Sequence, residues 1–212
     1  MDRKLLKIVP STRRKDVFHL DFDTGETLTV TTAQIADYGL CTGKTLDDAE
    51  YGLLADSASL SRARSAALET LGRRPLSRRE VTDKLNRKGV RSDLADRTAD
   101  WLEEVGFLDD GEYACQIVRH YAGRGYGAAR VREELYRRGV PREYWDDAMA
   151  NMPDTGEIID RLLKAKLKDG AADRRQRDKA AQSLLRRGYS WEEIRQAMDR
   201  LEMTEEWEEE SE

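Results

Sequence analysis

The chain carries a pattern of apolar and charged positions that returns three times, at intervals of about 50 residues, which is the spacing of a repeat array. The copies are residues 85–90, 135–140 and 184–189, and each is called the corner of its repeat. In each corner a leucine stands four residues before a glycine, two cations directly precede that glycine, and an apolar residue follows it. This order predicts a helix end, because cations favour the carbonyl end of a helix and glycine readily adopts the positive φ that closes it.

Apolar positions on both sides of each corner predict two helices joined by a tight turn. One turn before the corner leucines, on the same helix face, stand Val81, Val131 and Ala180. After each corner glycine, apolar residues recur at i, i+4 and i+7, which marks one face of a following helix. These positions are Ala95, Ala99 and Leu102, then Trp145, Met149 and Met152, then Ile194, Met198 and Leu201. An earlier helix must cover the remaining apolar surface, so the pattern predicts a mainly α protein built as a tandem array of three three-helix repeats.

The N-terminal region follows a different pattern and predicts a small β-hairpin region. Residues 16–22 and 27–31 alternate between apolar and polar positions, and Gly25 lies in the turn between them. Residues 5–9 are a candidate third strand, and residues 32–38 a short helix. A lone hairpin is marginally stable in water, so we expect this region to pack on the first repeat or on a partner.

These patterns divide the chain into five segments. We expect a β-hairpin extension at 1–55, three-helix repeats at 56–106, 107–153 and 154–203, and a disordered acidic tail at 204–212. Two helix starts carry a capping box, in which a serine and a glutamate three residues later bind each other's backbone N–H groups. These pairs are Ser77 with Glu80 and Ser190 with Glu193. Asp110 is the candidate cap of the helix that follows it.

The composition agrees with a thin array and supplies no catalytic group. Charged residues make up 37% and hydrophobic residues 39% of the chain, so a large single core is not expected. No apolar run is long enough to span a membrane, and the N-terminus lacks a signal-like core, which favours a cytoplasmic location. Cys41 and Cys115 are expected to be ordinary thiols. We find no nucleophile, metal-ligand or cofactor pattern, and therefore expect a monomeric binding protein rather than an enzyme.

The cation pairs of the corners are the candidate partner-binding residues. They are Arg87 and Lys88, Arg137 and Arg138, and Arg186 and Arg187. One interpretation is local, because each cation stabilises the carbonyl end of its helix by roughly 0.3–1 kcal/mol. The other is that the array presents one basic corner three times to a polyanion or to a regular acidic filament. Positions 62–200 carry more lysine and arginine than aspartate and glutamate, whereas both ends of the chain are acidic.

A glycine-rich loop in the second repeat adds further candidates. Residues 122–127 hold three glycines around Arg124 and Tyr126, and Arg130 follows closely. The loop is either a simple turn or a cradle for an anion, since glycines let a backbone approach a phosphate. Arg73 and Arg74 could extend the basic surface.

One segment resembles a known family signature. Residues 106–114 read Gly-Phe-Leu-Asp-Asp-Gly-Glu-Tyr-Ala, which is similar to the Gly-aromatic-aliphatic-(Asp/Asn)-Asp-x-x-Tyr-Ala signature of the RecX regulatory proteins. The surroundings agree, with Arg-Pro-Leu-Ser at 74–77 in the first repeat and Gly-x-Gly at 125–127 in the second. The resemblance covers residues 60–201, and the third repeat departs most, through a longer charged loop before its second helix.

The resemblance implies a modulator of the RecA recombinase. RecX proteins are all-helical arrays that lie in the groove of the RecA filament on single-stranded DNA. They inhibit its ATP hydrolysis, strand exchange and co-protease activity, and they need no nucleotide or metal of their own. Two alternatives stay open at this point. One is a nucleic-acid-binding module whose corners hold phosphates directly, and the other is a helical scaffold for a different partner.

Overall fold

The computed structural model describes residues 2–167 and 174–209, and it describes side chains up to residue 201. Two compact units divide the chain. The first comprises Met1–Pro75 and Val81–Leu108, and the second comprises Leu76–Glu80 and Asp109–Glu212. The short segment Leu76–Glu80 therefore packs with the second unit although its neighbours in sequence belong to the first.

The N-terminal region forms a four-stranded antiparallel sheet with the order β3-β2-β1-β4. Its strands are β1 (Arg3–Pro10), β2 (Val17–Phe22), β3 (Thr27–Thr31) and β4 (Thr45–Leu46). The predicted hairpin is confirmed as β2 and β3, with Gly25 at a φ of 81° in the turn, and the candidate third strand is confirmed as β1. The two-residue strand β4, which pairs with Arg3 and Lys4, is not signalled by the sequence pattern.

The sheet packs on the start of a long helix and so does not stand alone. The short helix α1 (Thr32–Asp37) follows β3, and α2 (Asp48–Leu71) begins at a capping box formed by Asp47 and Glu50. Leu54 and Ala58 of α2 are buried against the sheet, in one core with Leu5, Leu20, Phe22, Val30, Leu40 and Leu46. An isolated hairpin is only marginally stable, and burial of these side chains supplies the additional stability.

The second half of α2 supplies the first helix of the first repeat. Ala63 and Ala67 are fully buried there, and small side chains allow close packing against α4 (Ser92–Glu104). Between them lies α3 (Arg78–Arg87), which buries Val81 and Leu85. The predicted stripe of α4 is confirmed, since Ala95, Ala99 and Leu102 are fully buried.

The second unit contains the other two repeats, each with its own apolar core. The second repeat consists of α5 (Asp110–Gly123), α6 (Ala128–Arg137), a 3₁₀ turn (Arg142–Tyr144) and α7 (Trp145–Ala150). The third consists of α8 (Gly156–Lys164), α9 (Arg174–Arg186) and α10 (Trp191–Glu209). The predicted stripes pack on these cores, although α7 ends before Met152. The mainly α fold with three three-helix repeats is thus confirmed.

All three corners adopt the predicted helix-ending turn. Gly89, Gly139 and Gly188 have φ values of 82°, 67° and 88°. In each corner the residue after the glycine donates its N–H to the carbonyl of the corner leucine, at N···O distances of 3.1, 3.1 and 3.2 Å. This six-to-one bond is the mark of the Schellman motif, and it explains why leucine, glycine and the following apolar residue recur at fixed spacing.

Two expectations change. Asp110 does not cap α5, because Asp109 accepts the N–H of Glu112 at 2.8 Å, while Asp110 accepts the N–H of Arg78 at the start of α3 at 2.8 Å. Residues 204–209 of the expected disordered tail lie in α10, and residues 210–212 lie outside the described residues. Part of the charged loop of the third repeat, residues 168–173, also lies outside them. Among the described helices, none combines the length and apolarity needed to cross a membrane.

Candidate partner-binding surface

The second corner docks on the first turn of α3. The hydroxyl of Ser77, which is fully buried and directly precedes α3, donates a hydrogen bond to the carbonyl of Arg138. The same hydroxyl accepts the N–H of Glu80 at 3.1 Å, so the predicted capping box also holds the corner. Gly139 lies against Arg79 so closely that a Cβ atom there would overlap its side chain. We call this contact the first joint.

The third corner docks in the same way on the first turn of α6. The N–H groups of Gly127 and Ala129 donate to the carbonyls of Arg187 and Gly188, at 2.9 and 3.1 Å. A Cβ atom at Gly188 would overlap the backbone of Arg130, and one at Gly127 would overlap the carbonyl of Gly188. We call this contact the second joint. In both joints the carbonyl end of one helix meets the amide end of another, so opposite ends of two helix dipoles face each other.

The cations of the second corner belong to a buried network at the first joint. Glu134, only 1% exposed, accepts hydrogen bonds from Arg137 at 2.7 Å and from Arg138 at 2.6 Å. Arg138 also donates to the hydroxyl of Tyr113, which donates to the carboxylate of Glu80 at 3.0 Å. Burial raises the pKa of Glu134, but the hydrogen bonds from the two arginines outweigh that effect and the pKa is lowered. Arg138 therefore makes its hydrogen bonds within the protein, whereas the side chain of Arg137 is 65% exposed.

The glycine-rich loop is occupied by the chain itself. Gly125 ends α5 with a φ of 75°, and its carbonyl accepts a hydrogen bond from the guanidinium of Arg187 at 3.2 Å. The same guanidinium lies over the ring of Tyr126, 5.7 Å from its centroid. The close approach of the third corner thus explains Gly127, and the positive φ explains Gly125, whereas no described atom lies within 4 Å of a Cβ placed at Gly123. Arg130 forms an ion pair with Glu133 at 2.6 Å.

The first corner differs from the other two because it is open. Arg87 and Lys88 are exposed, and no described atom lies within 4 Å of the place where a Cβ of Gly89 would stand. Beside it lies a cleft of about 460 Å³. Cations dominate its lining, which consists of Glu69, Thr70, Arg73, Arg74, Lys84, Arg87 and Lys88. The expected extension of the basic surface by Arg73 and Arg74 thus coincides with a cleft at this corner.

The nine candidate residues therefore occupy three environments. Arg87 and Lys88 line the open cleft. Arg124, Arg137 and Arg186 are exposed beside the joints. The others, Tyr126, Arg130, Arg138 and Arg187, contact other parts of the second unit. Whether any of them binds a partner stays a prediction.

Sequence reasoning missed the residues that complete the joints. Ser77 is recognisable as a cap, but its second bond joins residues that are 61 positions apart in sequence. The acidic Glu134 among cations reads as a solvated helix residue, although it follows Val131 by three positions and so lies on the buried face. That spacing is the signal that could have revealed it.

In the part of the chain that the structure describes, no three histidine, cysteine, aspartate or glutamate side chains group as a metal ion would need.

The chain matches three family models in sequence order. They are the first, second and third three-helix domains of RecX, which match residues 63–102, 109–149 and 156–198. The regulatory protein RecX of Xanthomonas axonopodis pv. citri is 38% identical over 133 residues, which cover 62% of this chain and 82% of that protein. RecX of Clostridium botulinum is 24% identical over 198 residues, which cover 91% of this chain and 93% of that protein.

Solved structures share the fold. A crystal structure of regulatory protein RecX superposes with a TM-score of 0.73 at 21% identity, and it covers 93% of this chain and 99% of its own. RecX from Lactobacillus salivarius has a TM-score of 0.64 at 24% identity, with 69% and 99% covered. The second of these matches less of this chain, although almost all of its own length is aligned.

Proposed function

Because the chain belongs to the RecX family of regulatory proteins, we propose that it binds the RecA filament on single-stranded DNA and lowers its activities. The activities concerned are ATP hydrolysis, strand exchange and co-protease function. The observation that carries the proposal is the unbroken series of three RecX domains between residues 63 and 198. A chain of similar repeats suits a polymer, because successive repeats can contact successive identical protomers.

The exposed cations of the corners are the proposed contacts with the filament. They are Arg87, Lys88, Arg137 and Arg186, and the filament with its DNA supplies the complementary negative charge. Arg124 is exposed as well and is proposed as a further contact. We propose that Tyr126, Arg130, Arg138 and Arg187 support this surface from the joints. This division rests on burial, since the proposed contacts are exposed and the four supporting residues are partly buried.

The test is ATP hydrolysis by the cognate RecA on single-stranded DNA, titrated with the protein. We expect wild type to slow hydrolysis, and Arg87→Glu/Lys88→Glu to need roughly tenfold more protein for the same effect, equivalent to about 1.4 kcal/mol. The matched control is Arg62→Glu/Arg97→Glu, which makes the same charge change at exposed cations outside the cleft. Hydrolysis that is unchanged by excess wild-type protein contradicts the proposal.

A second candidate function is direct binding of single-stranded nucleic acid, and the basic cleft favours it. Affinity would then fall with salt at a slope of about −0.7 for each phosphate contacted. If Arg87 and Lys88 each hold a phosphate, the double reversal reduces that slope by roughly 1.4. Affinity that is independent of salt, or absent without RecA, excludes this candidate.

A further inference from the structure

The two joints share one mode of contact. In each, the residue before the corner glycine offers its carbonyl to the residue that directly precedes a helix. Arg138 accepts from Ser77, and Arg187 accepts from Gly127. In each, the corner glycine also lies against the first turn of that helix. The last carbonyls of a helix lack partners within that helix, and the contact supplies one in both joints. In the second joint the contact also satisfies the N–H of Ala129 in the first turn of α6.

The first corner has the same backbone geometry, but no helix start of the described chain covers it. Gly89 has a φ of 82°, and the N–H of Val90 binds the carbonyl of Leu85 at 3.1 Å, as in the other corners. Gly139 and Gly188 are covered by a neighbouring helix start, whereas Gly89 faces open space. The docking geometry is therefore present three times, and the described part of the chain supplies an occupant for two of them.

The charge of the first corner indicates which kind of partner segment could bind there. In the second corner Glu134, four positions before Arg138, compensates both arginines. The matching position in the first corner, four before Lys88, is Lys84. A glutamate is thus replaced by a third cation, and like charges at i and i+4 repel each other. Among the described residues that line the cleft, the acidic one is Glu69, which pairs with Arg73 at 2.7 Å. Carboxylates that offset Lys84, Arg87 and Lys88 are therefore expected on the molecule that covers the corner.

We propose that the first corner binds the N-terminal turn of a helix in a partner protein. This helix begins after a small or hydroxyl residue and carries carboxylates in its first turn, where helices favour them. The residue before the helix donates to the carbonyl of Lys88, as Ser77 does to Arg138. The carboxylates pair with Lys84, Arg87 and Lys88. The inference rests on the geometry of the joints and goes beyond the proposed RecA function.

The experiment uses the full-length chain and a synthetic peptide. The probe is an alanine-rich peptide of about 20 residues, long enough to form a helix in water, that begins Ser-Glu-Glu-Glu and carries a fluorophore at its C-terminus. The control peptide has the same composition with these four residues moved to the C-terminal end. By fluorescence anisotropy we expect saturable binding of the probe only. Arg87→Glu/Lys88→Glu should weaken it at least tenfold, and Arg62→Glu/Arg97→Glu should not.

A second variant separates shape from charge. Gly89→Asn places a side chain where the helix start would dock, and asparagine tolerates a positive φ. Gly25→Asn is its matched control, since Gly25 has a φ of 81° and open space around it but lies in the hairpin turn. We expect Gly89→Asn to abolish peptide binding and Gly25→Asn to preserve it, with both variants folded by circular dichroism.

Several outcomes overturn the proposal. One is equal binding of both peptides, or peptide binding by Gly89→Asn as tight as that of wild type. Another is binding of an oligodeoxythymidine that the double reversal at Arg87 and Lys88 abolishes while peptide binding persists, which would assign the corner to phosphates. A third is self-association of the chain that Gly89→Asn abolishes, which would assign the corner to a second copy. Failure of the RecA ATPase test alone leaves the peptide result unaffected.

Discussion

The carboxylate of Glu134 gives the sharpest test of the network at the first joint. Glu134→Gln keeps the shape of the side chain and removes its charge. Arg137 is 65% exposed and returns to water at a cost of up to about 1 kcal/mol. Arg138 is 25% exposed and loses a charged hydrogen-bond partner, which costs about 2 kcal/mol. We therefore expect the free energy of unfolding to fall by about 3 kcal/mol, the lower end of the range for breaking a buried ion pair.

Urea unfolding followed by circular dichroism measures this change. With a slope of about 2 kcal/mol per molar, the midpoint of the transition should fall by roughly 1.5 M. The matched control is Glu133→Gln, the same substitution one position earlier. Glu133 is exposed and pairs with Arg130 on the surface, so its loss should cost less than about 0.5 kcal/mol. Equal effects of the two substitutions would refute the reasoning.

The stability difference between wild type and Glu134→Gln should depend on pH. The pKa of Glu134 is lowered in the folded protein, so its charged form stabilises the fold above the ordinary glutamate value of about 4.3. That stabilisation is lost as the pH falls through the lowered pKa. The difference in unfolding free energy between wild type and Glu134→Gln should therefore be full at neutral pH and shrink in acid. A difference that stays constant from pH 7 to pH 3 contradicts this assignment.

Two further substitutions test the first joint. Gly139→Ala should lower the unfolding free energy by about 2–4 kcal/mol, because the new Cβ is strained at positive φ and overlaps Arg79. Gly89→Ala has the same strain without the overlap and should cost only about 1–2 kcal/mol, so equal losses in thermal unfolding would argue against the joint. Ser77→Ala should cost about 2 kcal/mol, since it removes a helix cap and the donor to a corner carbonyl. Ser190→Ala, which removes a cap, should cost about 1 kcal/mol by the same measurement, and a cost equal to that of Ser77→Ala would remove the second role of Ser77.

Local signals account for the parts of the fold that could be predicted. The corners are predictable because the Schellman turn places leucine, glycine and an apolar residue within six positions of one another. The capping boxes need only four positions, and the hairpin needs alternation on both sides of one turn. Each of these structures is determined by neighbours in sequence.

The environments of the cations could not be predicted, because they depend on distant partners. Arg138 and Lys88 occupy the same place in their repeats, yet Arg138 binds Tyr113 and Lys88 faces a cleft. What separates them is that the second corner contacts Ser77 and Arg79, whereas no described atom covers Gly89 of the first corner. β4 escaped prediction for a similar reason, since two residues carry no periodicity and the strand exists only by pairing with β1.

The packing of Leu76–Glu80 with the second unit has a consequence for protein fragments. A fragment that starts at Asp109 contains all of the second and third repeats, but it lacks the serine hydroxyl that binds the second corner. A fragment that starts at Leu76 retains it. The second corner should therefore be more stable in the longer fragment than in the shorter one, because the folding unit begins before the second repeat does.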